Sequence, residues 1–409
     1  MSSKILYVAN SSLSISTGGG RTRIISAANQ ASKSGFSVIT ACFFPPHTAV
    51  VNFKHLYKGK ISLASELGGK VFYFPRLPLT RFGWVSAIND WYCGILLFFL
   101  CLFTRIRILH CHTVDSAQYA LKAKLINSKL KIAADIHGAV AEEYMYERDL
   151  REPDKLAKRL EACESSVLNN SDWLVFVSAA MQEYYENKYQ AVYKRATVIP
   201  CATKVAGKNT NGSRDKLRSS LNLTDSVVFC YIGSGEAYQL PDKMCAFFKS
   251  ALEVFPNAFL LILSHHREVF QEQLSKLGIG RSHYKIQSVP HSEVFNVLQM
   301  GDIGFLLRDD SIVNKVSSPT KFGEYCLSGL PVLTTEWVGD ISGIVREHKL
   351  GAIVQLDDLR VDTNLAEFIK DVRANRSGYS ERCSQYVKEQ FSWEVFGEQL
   401  GKVYTSLGT

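Results

Sequence analysis

The stretch Ser317-Ser318-Pro319-Thr320-Lys321-Phe322-Gly323-Glu324-Tyr325-Cys326-Leu327-Ser328-Gly329-Leu330-Pro331-Val332-Leu333 decides the fold of this 409-residue chain. Two serines and a proline open a helix, because proline fixes a helical φ and needs no N–H partner at the first position. Gly329 closes it, since glycine takes the left-handed conformation that ends helices. Pro331-Val332-Leu333 then starts a strand. A helix that feeds directly into a short apolar strand is part of a βαβ unit, so the block predicts a parallel sheet. The N–H groups of Thr320 and Lys321 and the Lys321 ammonium suit a diphosphate, and Glu324 can accept both hydroxyls of a ribose. A carboxylate in a first helical turn also stabilises the helix dipole, so both readings of Glu324 stand at this point.

Outward from this block the same alternation continues. Upstream lie apolar strand runs at 227–232, 258–264, 284–287 and 303–307, separated by helical stretches near 243–254, 268–277 and 292–300. Before them, residues 204–214 are polar and rich in turn formers, which predicts an interdomain linker. The first half repeats the pattern, with strands predicted at 5–9, 37–44, 108–110, 132–135, 174–177 and 197–200 and a first helix at 22–33. The chain is therefore expected to be α/β, with two Rossmann-like, doubly wound domains facing a central crevice. The first spans 1–203 and is completed by a C-terminal helix, 391–409, that crosses back to it; the second spans 204–390. Ligands of such sheets sit at the carboxyl ends of the strands, so the active site is expected between the domains.

Two features of the first half fall at such strand ends. Gly18-Gly19-Gly20-Arg21 lies between the first strand and the first helix, where glycines let backbone N–H groups approach a ligand, although a tight structural turn reads the same way. Its spacing fits neither a Walker A loop nor GxGxxG, and the second strand ends Ala41-Cys42-Phe43-Phe44 without the acid that holds an NAD ribose. Asp135-Ile136-His137-Gly138 ends another strand, placing a histidine where it can orient or protonate a substrate hydroxyl or serve as an ordinary buried histidine.

Composition narrows the function classes. With 46% hydrophobic and 21% charged residues, 27 Gly and 11 Pro, the chain is an ordinary folded protein. Residues 1–200 hold 24 Lys and Arg against 15 Asp and Glu, whereas the remainder is nearly balanced, so the first half carries the whole net charge of +8. That surplus suits an anionic membrane surface or a phosphorylated substrate, or is a generally basic surface. Nucleic acid is not expected, because no basic run is interleaved with aromatics. The ten cysteines are scattered without a CxxC pair, which suggests a reducing, cytoplasmic setting. Met1–Lys4 run straight into a strand-sized apolar run, so no signal peptide is expected. His110-Cys111-His112 lacks a second ligand group at zinc spacing, and no metal is expected there. Ile95 to Phe103 is a nine-residue apolar core, too short to span a bilayer. It is either a buried helix or one lying at a membrane surface, with Trp84, Trp91 and Tyr92 at headgroup level and Arg81, Arg105 and Arg107 beside them.

The block 317–333, His291-Ser292-Glu293-Val294-Phe295, Gly301-Asp302-Ile303-Gly304, the N-terminal glycine loop and Phe391-Ser392-Trp393 together resemble the retaining glycosyltransferases of the GT-B fold, family 4 type. The resemblance implies transfer of a sugar from a nucleotide diphosphate sugar, a UDP-sugar by preference, with retention at the anomeric carbon and no obligatory metal or cofactor. It makes Glu324 the ribose-binding glutamate, His137 the active-site histidine and Gly18, Gly19, Gly20 and Arg21 the N-terminal acceptor loop. The donor set is expected to comprise Gly233, Ser234, Arg308, Lys315, Ser318, Thr320, Lys321 and Glu324, with His137, Lys321 and Glu324 catalytic.

This sequence departs from the family pattern twice. The first glutamate of the usual Glu-x7-Glu pair would stand at Val316. The Arg and Lys that usually follow the first strand of the second domain are replaced by Ser234, Glu236 and Gln239. A leaving diphosphate still needs positive charge, which Arg308, Lys315 or Lys321 is expected to supply. The acceptor is expected to be lipid-linked or a polysaccharide, in cell-surface polysaccharide synthesis by a cytoplasmic enzyme peripheral on the inner face of the plasma membrane. The alternatives are a non-catalytic relative that binds nucleotide or polysaccharide, and a nucleotide-sugar epimerase on the same fold.

Overall fold

A computed structural model describes residues 3–11, 13–14, 18–77, 83–205 and 214–408. The chain forms two compact units, Met1–Ala202 with Trp393–Thr409, and Thr203–Ser392.

The first unit is built on seven parallel strands: β1 (Lys4–Ala9), β2 (Ser37–Phe44), β3 (Lys70–Pro75), β4 (Ile108–His112), β5 (Lys131–Ile136), β6 (Trp173–Phe176) and β7 (Ala196–Val198). Their order is β3-β2-β1-β4-β5-β6-β7. Helices cover both faces of such a sheet, which is why its strands read as unbroken apolar runs. In β2 only Ser37 is exposed. The chain order reverses between β1 and β4, so the loops leaving these two strands run in opposite directions, which is where ligands of such sheets are held. Helices α1 (Gly19–Lys33), α2 (Pro46–Leu67), α3 (Gly83–Thr104), α4 (Val114–Ile126) and α5 (Val140–Glu147) follow β1 to β5 in turn. The C-terminal helix Trp393–Gly408 packs on α1 and contributes Trp393, Leu400, Val403, Tyr404 and Leu407 to this unit's core.

The second unit holds six parallel strands, β8 (Val228–Ile232), β9 (Phe259–Leu263), β10 (Tyr284–Gln287), β11 (Ile303–Leu306), β12 (Val332–Thr334) and β13 (Gly351–Ile353), in the order β10-β9-β8-β11-β12-β13. Its switch point lies between β8 and β11, the strands that lead to Gly233 and Arg308. The helix of the deciding block runs Thr320–Leu327. Gly329 ends it at φ +79°, and a side chain there would also meet the Ser380 hydroxyl.

Two expectations need correction. Arg214, read as the end of a linker, is anchored: its guanidinium reaches Asp302 at 2.5 Å and the carbonyls of Gln299 and Gly301. The rest of that segment, 206–213, lies outside the described residues, as does Arg81. The nine-residue apolar core belongs to the 22-residue α3, which is long and apolar enough to cross a membrane. Ser86 and Asn89 hid its length in the sequence because they face inward: Asn89 accepts the Leu77 N–H at 2.8 Å and donates to the Tyr119 hydroxyl.

Candidate functional site

Each unit gathers polar groups at the carboxyl ends of its central strands. In the first, β4 ends in His112 and β5 is followed by His137, and between them stands the buried carboxylate of Asp135. The Asp135 Oδ2 lies 3.1 Å from His112 Nδ1 and 3.1 Å from His137 Nε2, and 3.4 Å from His110 Nε2. Arg23 of α1 clamps the same carboxylate with two N–H groups, Nη2 to Oδ1 at 2.7 Å and Nε to Oδ2 at 2.9 Å. Burial alone would raise the Asp135 pKa, but the Arg23 charge, His137 and the imidazole hydrogen bonds outweigh it and hold the carboxyl well below its usual range. The pKa values of His110 and His112 are lowered too, chiefly by burial, so both imidazoles stay neutral.

A hydrogen-bond chain fixes the tautomers. The Tyr404 hydroxyl lies 2.7 Å from His110 Nδ1 and 2.5 Å from the Tyr7 hydroxyl. With Nδ1 of His110 accepting from Tyr404, its Nε2–H faces Asp135. The same carboxylate holds the His137 ring through Nε2. His137 is the only one of the three imidazoles with appreciable exposure, its side chain being 18% accessible. Beside it a Cβ on Gly138 would meet the Glu143 carboxylate, which would have to shift; burial raises the pKa of that carboxyl. Thr113, next after His112, is held at φ +83°, a strained conformation for a β-branched residue of the kind that collects at functional sites.

His110, His112 and Asp135 bring ligand atoms within 4.8 Å of one another, so the second ligand group missing from the sequence reading is Asp135. The residues do not suit a cation, because Arg23 already occupies the carboxylate with a buried positive charge. The glycine loop is also partly structural. Gly18 sits at φ +98°, α1 begins at Gly19, and a side chain at Gly20 would meet nothing within 4 Å. Arg21 is committed to the Leu13 carbonyl and to Glu66 at 2.7 Å.

In the second unit, Lys321 is buried in the first turn of its helix. Its ammonium donates to Gln239 Oε1 and, at 3.2 Å, to the Tyr231 hydroxyl, and lies 4.3 Å from the Tyr231 ring centroid. Gly233, at φ +133°, makes room: a Cβ there would stand 2.8 Å from Lys321 Nζ. Arg308, just after β11, is equally buried; it donates to the Leu307 carbonyl and lies over the Tyr238 ring at 5.5 Å. Among the described residues no carboxylate pairs with either cation. Burial, reinforced by the Arg308 charge and opposed by Glu324, holds the Lys321 pKa well below its ordinary value, and burial lowers that of Arg308. Two buried basic groups with no carboxylate in ion-pair contact are expensive in the free protein and match a polyanion such as a diphosphate.

Around this pair, Ser318 is buried in the turn before the helix, Thr320 opens the helix and the Ser234 carbonyl accepts from Tyr231 at 2.6 Å. Glu324, one turn along, accepts from His291 Nε2 at 2.8 Å. Lys315 is not part of the uncompensated pair; its ammonium pairs with Asp310 and lies over the Trp337 ring at 4.7 Å. Val316, where a carboxylate was expected, is buried. Sequence reasoning missed Arg23, Asp135, Tyr404, Gln239 and the partner role of His291. Only the Asp-x-His spacing of Asp135 and His137 carried a local signal.

Residues 17–206 match the sequence model of Glycosyltransferase Family 4. No curated protein matches the chain significantly by sequence. Among solved structures, sucrose-phosphate synthase from Thermosynechococcus elongatus superposes with a TM-score of 0.72 at 15% identity, covering 99% of each chain. Anabaena HepE in complex with UDP-glucose gives 0.69 at 14% identity, over 98% of this chain and 99% of that one. An E. coli trehalose-6-phosphate protein bound with UDP-2-fluoro glucose gives 0.66 at 10% identity, over 98% and 99%. At these identities the likeness is one of fold, and that fold is GT-B.

Proposed function

We propose, for a chain that carries a Glycosyltransferase Family 4 domain on a GT-B fold, that it transfers a sugar from UDP-sugar to a lipid-linked or polysaccharide acceptor with retention at the anomeric carbon. The observation that carries this reading is the pair of buried, uncompensated cations, Lys321 and Arg308, at the switch point of the second sheet. In this reading they hold the donor diphosphate and stabilise the charge that grows on it as the glycosidic bond to the sugar breaks, replacing the basic pair absent after β8. In this reading the step has no obligatory metal. Glu324 accepts the ribose hydroxyls, with His291 orienting its carboxylate. His137, fixed through Nε2 by Asp135, presents Nδ1 to a hydroxyl of the transferred sugar or of the acceptor. UDP is the favoured diphosphate because HepE and the E. coli protein were solved with UDP-sugars. A role in cell-surface polysaccharide synthesis at the cytoplasmic face of a membrane fits the basic first half.

Calorimetry with UDP, GDP, CMP and dTDP on the wild type and Glu324→Ala tests the reading. Binding of UDP alone, weakened at least tenfold by the substitution, supports it. Absence of any nucleotide binding overturns it. UDP-sugar consumption without acceptor would favour an epimerase instead.

A further inference from the structure

Of the fourteen large apolar side chains that are exposed among the described residues, eight lie on α3, with Trp84, Ile88, Trp91, Ile95, Phe99 and Phe103 marking its length. Steps of three and four residues put them on one stripe along the whole helix. The opposite stripe is keyed into the first unit through Asn89, Cys93, Leu97 and Cys101, all buried. Crossing a bilayer would tear this stripe from the core and expose the Asn89 amide to hydrocarbon. Leu125 and Ile126, also exposed, extend the apolar surface from α4, on which α3 packs.

The charges around the stripe identify what covers it. Asp90 is the one ionic residue of α3, and it feels the opposing charges of Arg159 and Lys122. The Lys122 ammonium lies over the Trp91 ring at 5.5 Å. Exposed Arg105 and Arg107 follow the helix directly, and exposed Lys129 follows Ile126 closely. An apolar stripe with tryptophans at one end and a cationic rim is the pattern of a helix lying in the lipid headgroup layer. We propose that α3 docks the first unit on an anionic bilayer with its axis along the membrane plane. Docking is carried by α3 itself. Its purpose, delivery of the site to a lipid-linked acceptor, rests on the transferase reading.

Co-flotation of the full chain with vesicles of about one-third anionic lipid, against neutral vesicles, tests the docking. The wild type is expected to float with the anionic vesicles and to shift its tryptophan emission to the blue as Trp84 and Trp91 enter the headgroup layer. The variant Trp84→Ser/Phe99→Ser/Phe103→Ser, altered only at exposed positions, is expected to float at least tenfold less while keeping its melting temperature and UDP affinity. Arg105→Glu/Arg107→Glu is expected to lose the preference for anionic over neutral lipid. A wild type that stays in solution with anionic vesicles overturns the proposal. A wild-type dimer that the triple serine variant makes monomeric, with no vesicle binding, overturns it in favour of self-association. Because flotation uses neither donor nor acceptor, a failure of UDP binding would sink the transferase reading and leave the docking of α3 standing.

Discussion

Arg23 lies over the indole of Trp393, its guanidinium carbon 5.6 Å from the ring centroid, although the two are separated by nearly the whole length of the chain. The contact ties the C-terminal helix to the Asp135 cluster from one side, while Tyr404 ties it from the other through His110. The last helix therefore does more than close the core of the first unit. It holds the donor that holds the carboxylate that orients His137.

Removing that donor should be costly and pH-dependent. Arg23→Ala leaves a buried carboxylate unpaired, which costs about 3–5 kcal/mol at pH 7. Burial then raises the Asp135 pKa from its depressed value, so the variant's folded state takes up a proton that the wild type does not. Its deficit should accordingly shrink as the pH falls from 7 towards 5. Urea denaturation of both proteins at the two pH values checks this. An equal deficit at both would mean that Asp135 keeps its charge without Arg23.

Tyr404→Phe separates positioning from binding. It removes the hydroxyl that donates to His110 Nδ1 and accepts from Tyr7, at about 1–3 kcal/mol of stability. The His110 tautomer is then no longer fixed, and with it the set of donors on Asp135. If the chain orients His137, kcat falls several-fold while UDP affinity, which the proposed function assigns to the second unit, is unchanged. Steady-state kinetics beside calorimetry reads both, and an unaltered kcat would reduce Tyr404 to packing.

The carboxylate of Glu324 is expected to act through its charge. Glu324→Ala should weaken UDP about ten- to a hundredfold, as loss of a charge-assisted hydrogen bond requires, and Glu324→Gln should recover part of that loss. UDP and UMP should lose comparable affinity if the carboxylate binds the ribose. A loss confined to UDP would place Glu324 on the diphosphate instead.

The sheets and the block 317–333 were legible in the sequence because both are written locally. Continuous apolar runs give strands, and Pro319 and Gly329 bracket a helix within a dozen residues. Lys321 and Arg308 could be named from their nearness to that block. What made them a pair could not, since burial and the want of a carboxylate partner are properties of the packed domain. Arg23, Asp135, His110 and Tyr404 come from four separate stretches and meet only when β4 and β5 lie side by side and the last helix returns to α1. The length of α3 was hidden for a related reason: Ser86 and Asn89 are polar in sequence, yet they face the protein and leave the apolar stripe outward.

Lys321 should show the trade of stability for binding most directly. Its folded pKa lies well below 10.5. Between that lowered value and 10.5 the unfolded chain binds more protons than the folded one, so this residue makes the fold gain stability as pH rises through the window. A bound diphosphate favours the protonated ammonium. UDP binding should therefore take up protons, and its affinity should fall as pH rises through the lowered value. Lys321→Met removes a desolvated charge without emptying the space, although it leaves Gln239 Oε1 without its donor. The free variant is expected to be more stable than the wild type by about 1 kcal/mol, as when strain is relieved at a functional site. It should bind UDP at least tenfold more weakly and without proton uptake. Thermal melts together with calorimetry in buffers of different ionisation enthalpy measure all three. A variant that is less stable yet binds UDP normally would make Lys321 a packing residue and leave the diphosphate to Arg308.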